Sequence, residues 1–172
     1  MPAIPVLATR RLVLRRLTTD DAGWILGLLN DPAFLRYIGD KGVRTHPDAC
    51  RYIETGPVAS YERHGFGLLR VELKDGGEPI GMCGLLKRDA LPDPDVGFAL
   101  LPRHRAKGYA FESASAVLAH ARDTLGLVRV LAITSPDNAA SIELLEGLGF
   151  RFERMSRLEE DAPEIEVFAW HA

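Results

Sequence analysis

Cysteine is scarce in this chain of 172 residues, which has only Cys50 and Cys83. Neither stands in a Cys-x-x-Cys pair, and two cysteines make no disulfide framework. A reducing compartment, and so the cytoplasm, is the simpler setting. No apolar run nears the ~20 residues that span a bilayer. Residues 1–9 carry no basic segment followed by an apolar one, so no leader peptide is read there. An excess of one charge is missing too. With 21 Lys+Arg against 24 Asp+Glu, the net charge of −3 gives no long-range pull towards nucleic acid or an anionic membrane. Any phosphate must therefore be bound locally. His46, His64, His104, His120 and His171 show no metal-ligand spacing, so no metal is expected. Both common nucleotide loops, GxxxxGK[ST] and GxGxxG, are absent.

The chain does have an ordinary globular composition, 47% apolar and 26% charged. Its length suits one well-buried domain over 1–172. Alternation predicts a strand over Arg11–Leu17. Thr18-Thr19-Asp20-Asp21 is N-cap chemistry for a helix marked by Trp24, Ile25, Leu28 and Leu29. Asn30-Asp31-Pro32 breaks that helix and a short second one follows. A third begins at His46, and Gly56-Pro57 must bend or interrupt it. Strands are read over Gly65–Leu73, Ile80–Leu86 and Asp95–Leu101, the first two joined by an Asp-Gly turn. Lys107–Thr124 is the strongest helical segment, with Gly126 as its closing glycine. Val128–Thr134 is a nearly continuous apolar strand, and Asn138–Leu148 a helix. Phe150–Arg157 and Ile165–Trp170 are the last strands, joined by an acidic turn. The order is an α/β one. An antiparallel meander followed by a β–α–β unit implies a mixed sheet with one parallel pair and helices on both faces.

The most informative stretch is Val96–Ser113, VGFALLPRHRAKGYAFES. A strand passes through a basic, small-residue loop directly into a helix. Such a start leaves about four backbone N–H groups unpaired and favours an anion there. Arg103, Arg105 and Lys107 add charge, and Gly108 permits a conformation that a larger residue would strain. With nucleotide loops excluded, the ligand is a pyrophosphate of another kind. A solvated basic helix start is the simpler alternative.

Arg105-Ala106-Lys107-Gly108-Tyr109-Ala110 resembles the R/Q-x-x-G-x-G/A signature of the GNAT N-acetyltransferases, which use acetyl-coenzyme A. The flanks resemble the RimJ/RimL branch, which acetylates protein N-termini. They are Arg10-Arg11 with Asp20-Asp21, Leu101-Pro102, Glu112, and the block from Asn138 through Ser141 and Leu145 to Gly149-Phe150. The resemblance runs from about Thr9 to Trp170. It implies the GNAT fold, mixed and mostly antiparallel with the parallel pair at the acetyl-CoA site. It also implies cofactor-binding roles. Backbone groups of Phe98, Ala99 and Leu100 would align the pantetheine arm and polarise the thioester. Ala106, Lys107, Gly108, Tyr109, Ala110 and Phe111, with Arg103 and Arg105, would hold the pyrophosphate. Asn138 would contact pantetheine, although it reads equally as a helix N-cap.

Two departures bear on the chemistry. Many members protonate the departing thiolate with a Tyr, and Leu145 stands at that position. Ser141, one turn earlier, is the catalytic candidate instead, with a first-turn structural role as its alternative. The Glu base of other members corresponds to Ile133. Asp95 is the nearest carboxylate, for which a turn or strand-edge role is simpler. A weak base still suffices for one acceptor class. An α-amine with a pKa near 7.7–8.0 is about 10% or more neutral at pH 7, and a lysine near 10.4 is under 0.1%. The implied reaction is acetyl transfer to a primary amine, most simply a peptide N-terminus. A small-molecule amine and a non-catalytic CoA-binding module are the alternatives, in a monomer or homodimer without nucleic-acid or membrane partners.

Overall fold

The computed structural model describes residues 7–172, so the leader reading bears largely on residues outside it. In chain order, strands β1 (Leu7–Ala8) and β2 (Leu12–Arg16) precede helices α1 (Ala22–Leu29), α2 (Pro32–Tyr37), α3 (His46–Ile53) and α4 (Ala59–His64). Strands β3 (Leu68–Leu73), β4 (Pro79–Leu86) and β5 (Asp95–Leu100) lead into α5 (Tyr109–Asp123). Then come β6 (Arg129–Thr134), α6 (Ala139–Gly147), β7 (Arg151–Ser156) and β8 (Ile165–His171). The strands form one sheet in the order β1-β2-β3-β4-β5-β6-β8-β7. Every pairing is antiparallel except β5 with β6. The expected mixed sheet with a single parallel pair is what forms.

Alternation along the strands divides the core between two faces. Leu12 and Leu14 of β2 join Val117, Leu118, Leu145 and Phe150 under α5 and α6. Leu17, Ile25, Leu28, Phe34 and Ile53 pack with Met82 under α1–α4. The helical insertion is fastened to the sheet by a buried carboxylate. Asp21 accepts from Thr18 N (2.9 Å), Trp24 Nε1 (3.0 Å), Arg70 NH1 (2.7 Å) and Arg15 NH2 (3.5 Å). Burial pushes its pKa up. The bonds from Thr18, Trp24 and Arg70 and the charge of Arg15 outweigh that and hold it below the usual carboxylate value. Its contribution to stability is thus complete at neutral pH and is lost as pH falls through the lowered pKa.

Three local details refine the sequence reading. Gly56-Pro57 interrupts the α-helix as expected, but the chain stays helical across the interruption. Pro57 lacks an N–H, and α3 passes through a wider π turn, Glu54–Val58, directly into α4. The long helix begins at Tyr109 rather than Lys107, because Gly108 is left-handed at φ 82°. The strand read from Val128 begins at Arg129, with Val128 outside it and exposed. The two-residue β1 is too short for any periodicity to announce.

The candidate site is positioned by the parting of two strands. β5 and β6 share a single ladder pair, Asp95 with Leu131. Beyond it they part, and a cleft opens towards Leu100 on one lip and Thr134 on the other.

Candidate functional site

The cleft exposes half the backbone groups of β5. Leu101 N donates to Ile80 O at 2.8 Å, and the β4–β5 register pairs Met82 with Ala99 and Gly81 with Leu100. In an antiparallel ladder, bonded and non-bonded pairs alternate. The N–H of Ala99 therefore points to β4, while those of Phe98 and Leu100 point into the cleft. Of the three backbone positions named from the sequence, the geometry brings two to the cleft and turns Ala99 away.

At the open end of β5 the chain makes a 3₁₀ turn, Pro102–His104, and then twice enters the left-handed region, at Ala106 (φ 59°) and Gly108. The six amides from Ala106 to Phe111 have no acceptor among the described residues. Ala106, Lys107 and Gly108 lie at the surface. Successive N–H groups in such a turn, at the start of a 15-residue helix, form a concavity suited to phosphate oxygens. For an alanine the left-handed conformation is strained, which is typical of a functional loop.

A clamp that the sequence did not announce holds this turn. Glu112, in the first turn of α5, accepts from Thr9 Oγ1, from Arg11 N (2.9 Å) and from Arg11 Nε (2.7 Å). Arg11 NH1 also donates to Lys107 O at 3.0 Å, and its guanidinium lies 4.4 Å from the Tyr109 ring centroid. The hairpin β1–β2 thus braces the loop from behind. Arg10-Arg11 and Glu112 were part of the recognised pattern, but a pattern does not tell that residues about a hundred positions apart are partners.

The three cations of the loop are used differently. Arg103 pairs with Glu78 and donates to His104 Nε2 at 3.2 Å. His104 is buried, and burial lowers its pKa, which favours the neutral ring. Arg105 turns back to the strand it follows. Its Nε donates to Leu100 O at 3.1 Å, and its NH2 pairs with the buried carboxylate of Asp31. Lys107 has no ion-pair partner among the described residues and remains available at the loop surface.

Across the cleft, Asn138 caps α6, its Oδ1 accepting from Ser141 N at 3.3 Å. This leaves the Asn138 amide nitrogen and the half-buried Ser141 hydroxyl without partners among the described residues. Leu145, one turn on, is fully buried in the core under α6. Ile133 faces the other side of the sheet, packed with Leu91, Leu131 and Val167. Phe111 is exposed at the loop end, its ring close to Gly147 of α6.

Asp95 lies at the closed end of the cleft, with a relative exposure of 1%. Strand alternation sets it on the α1–α4 face, with Ala99. Both carboxylate oxygens face Arg88 Nε, at 3.1 and 3.2 Å. Burial outweighs the neighbouring cations Arg88 and Lys87 and pushes its pKa up to about 6. Tyr52 of α3 is near the same arginine, with burial raising its hydroxyl to about 12. The sequence could name Asp95 as the nearest carboxylate but gave no sign of its burial.

Comparison with known proteins identifies the family and the fold. The acetyltransferase (GNAT) domain family matches residues 11–151. An uncharacterised N-acetyltransferase of Bacillus subtilis (strain 168), YoaA, is 31% identical over 155 residues, covering 89% of this chain and 86% of its own. The crystal structure of an acetyltransferase from Agrobacterium tumefaciens str. C58 superposes with a TM-score of 0.84 at 27% identity, covering 100% of this chain and 97% of that one. RimL, a ribosomal L7/L12 alpha-N-protein acetyltransferase crystallised with coenzyme A, shares the fold at a TM-score of 0.80 and 15% identity, over 97% and 98% of the two chains. A strand that parts from its parallel neighbour, a turn of unpaired amides and a family match across most of the sequence lead to one conclusion: the chain belongs to the GNAT acetyltransferases.

Proposed function

We propose that the protein acetylates a primary amine with acetyl-CoA, and that the amine is the α-amine of a peptide or protein N-terminus. The observation that carries this is the run of six unpaired amides, Ala106–Phe111, at the mouth of a cleft lined by the free N–H groups of Phe98 and Leu100. That arrangement fits a pyrophosphate joined to a narrow extended arm. RimL, with its bound coenzyme A, supports the reading as a relative in fold.

Bound there, acetyl-CoA supplies an acetyl group already activated as a thioester. The chain's own groups do the rest. The Ala106–Phe111 amides and Lys107 hold the diphosphate, while Arg103 and Arg105 add to the local field without direct bonds. Phe98 and Leu100 aim N–H donors into the cleft, where they stabilise negative charge developing on a carbonyl oxygen. The free amide of Asn138 bonds the arm from the opposite lip. The Ser141 hydroxyl donates a hydrogen bond to the leaving sulfur; a thiolate whose thiol has a pKa near 8.5 is stable enough to depart without taking the proton from serine. Asp95, mostly ionised at pH 7, takes the amine's proton through a water at the closed end of the cleft.

A base with a pKa near 6 suits an α-amine and serves an unperturbed lysine poorly, because so little of the lysine is neutral. In an assay of thiol release from acetyl-CoA, peptides with a free N-terminus should therefore exceed N-blocked, lysine-containing peptides by about a hundredfold in kcat/KM. A small amine faster than every peptide would overturn the acceptor assignment. CoA binding without turnover on any amine would leave only a binding module. In the same assay Ser141→Ala should lower kcat about tenfold with the KM for acetyl-CoA unchanged. An undiminished rate removes Ser141 from the chemistry.

A further inference from the structure

The short helix α2 spans the mouth of the cleft and is fastened to both lips. At its N-terminus Asp31 is the cap residue, accepting from Phe34 N at 3.3 Å. The same carboxylate oxygen takes Arg105 NH2, and Arg105 Nε holds Leu100 O, the last carbonyl of the β5 lip. At its C-terminal end Arg36 reaches Asp137 at 3.4 Å. Asp137 belongs to the turn between β6 and α6 and also accepts from Ser135. The two fastenings are unequal. Arg36–Asp137 is an exposed pair at long range, of a kind that contributes little. Arg105–Asp31 joins a buried capping carboxylate to a guanidinium that also bonds the strand. Gly39 and Gly42, both at positive φ, follow α2 and lead into a polar loop. The helix is therefore held more firmly on the β5 side than on the β6 side.

We propose that Arg105 is a positioning residue that couples the two halves of the site: filling the cofactor cleft orders α2 through the Arg105–Asp31 pair, and so fixes the entrance used by the amine. This rests on the coenzyme A reading above. Arg105 sits between the strand and the amide turn that such a ligand would touch. A ligand that immobilises Leu100 and residues 106–111 also immobilises the guanidinium between them. Asp31 then meets a partner already fixed, so α2 loses less freedom in being held. The coupling is reciprocal, and an acceptor that orders α2 tightens the cofactor's hold by the same factor.

The test is hydrogen exchange with and without coenzyme A on wild type, Asp31→Asn and Arg105→Gln. Asn caps a helix as well as Asp does, and Gln keeps one donor for Leu100 O, so both substitutions are mild. In wild type, coenzyme A should protect residues 106–111 and slow exchange in α2 about tenfold. In both variants it should still protect 106–111 and leave α2 unchanged. A merely structural bond would loosen α2 equally with and without the ligand. If coenzyme A protects α2 in the variants as strongly as in wild type, or if wild-type α2 does not respond while 106–111 does, the coupling is wrong. If 106–111 itself does not respond in wild type, the coenzyme A reading fails and takes the coupling with it.

Discussion

Gly108→Val lowers the affinity for acetyl-CoA about a hundredfold, measured by calorimetry on the purified protein. Gly108 holds φ 82°, and a Cβ there would lie 3.2 Å from Arg11 NH2. A β-branched residue is an outlier in that region and strains the backbone by about 1–3 kcal/mol. It also pushes on Arg11, which holds Lys107 O and Glu112. The turn must then rotate, and its amides no longer converge. Losing two charge-assisted bonds of about 1.5 kcal/mol each amounts to roughly a hundredfold in affinity. Gly126→Val separates strain from binding. Gly126 has a similar φ of 68°, with nothing within 4 Å of its would-be Cβ. It should show a comparable loss of stability and unchanged affinity. If both variants bind as wild type does, the amide turn is not the diphosphate site.

Asp95→Asn lowers kcat/KM for a peptide N-terminus about a hundredfold and changes the shape of its pH profile. The amine must be neutral, which makes log kcat/KM rise with unit slope up to its own pKa near 7.7–8.0. A base with a pKa of about 6 adds a second unit of slope below that value. Wild type should therefore bend from slope two to slope one near pH 6, and the variant should keep slope one throughout. The direction follows from the charge: a carboxylate raised by burial is protonated, and useless as a base, on the acid side of 6. A profile with the bend intact in Asp95→Asn assigns the limb to another group.

These residues also mark how far the sequence could be read. The β5–turn–α5 unit was legible because its signals are local. An apolar strand, small residues around a glycine and an alanine-rich helix follow one another within Val96–Asp123. Asn138 was legible as a cap for the same reason. The illegible parts depend on distant partners. Arg103 and Arg105 look like two more loop cations until Glu78 and Asp31 are found beside them. Glu112 is an ordinary first-turn acid until the β1–β2 hairpin meets it. Asp95 changes from a turn residue to a titratable group near pH 6 only through burial, and burial belongs to the packed sheet. The narrowing of three backbone positions to Phe98 and Leu100 needed the register with β4, which alternation within β5 cannot supply.

The parting of β5 and β6 has a further consequence. Past Asp95, β5 is an edge strand in the middle of a sheet. An edge strand will pair with any extended chain, and soluble proteins commonly block their edges against such pairing. Here Arg105 occupies the last carbonyl of that edge, and α2 is bonded to both lips of the opening. The bonds that shape the entrance are thus also a guard against self-association. Losing them would turn a ligand slot into a site of aggregation.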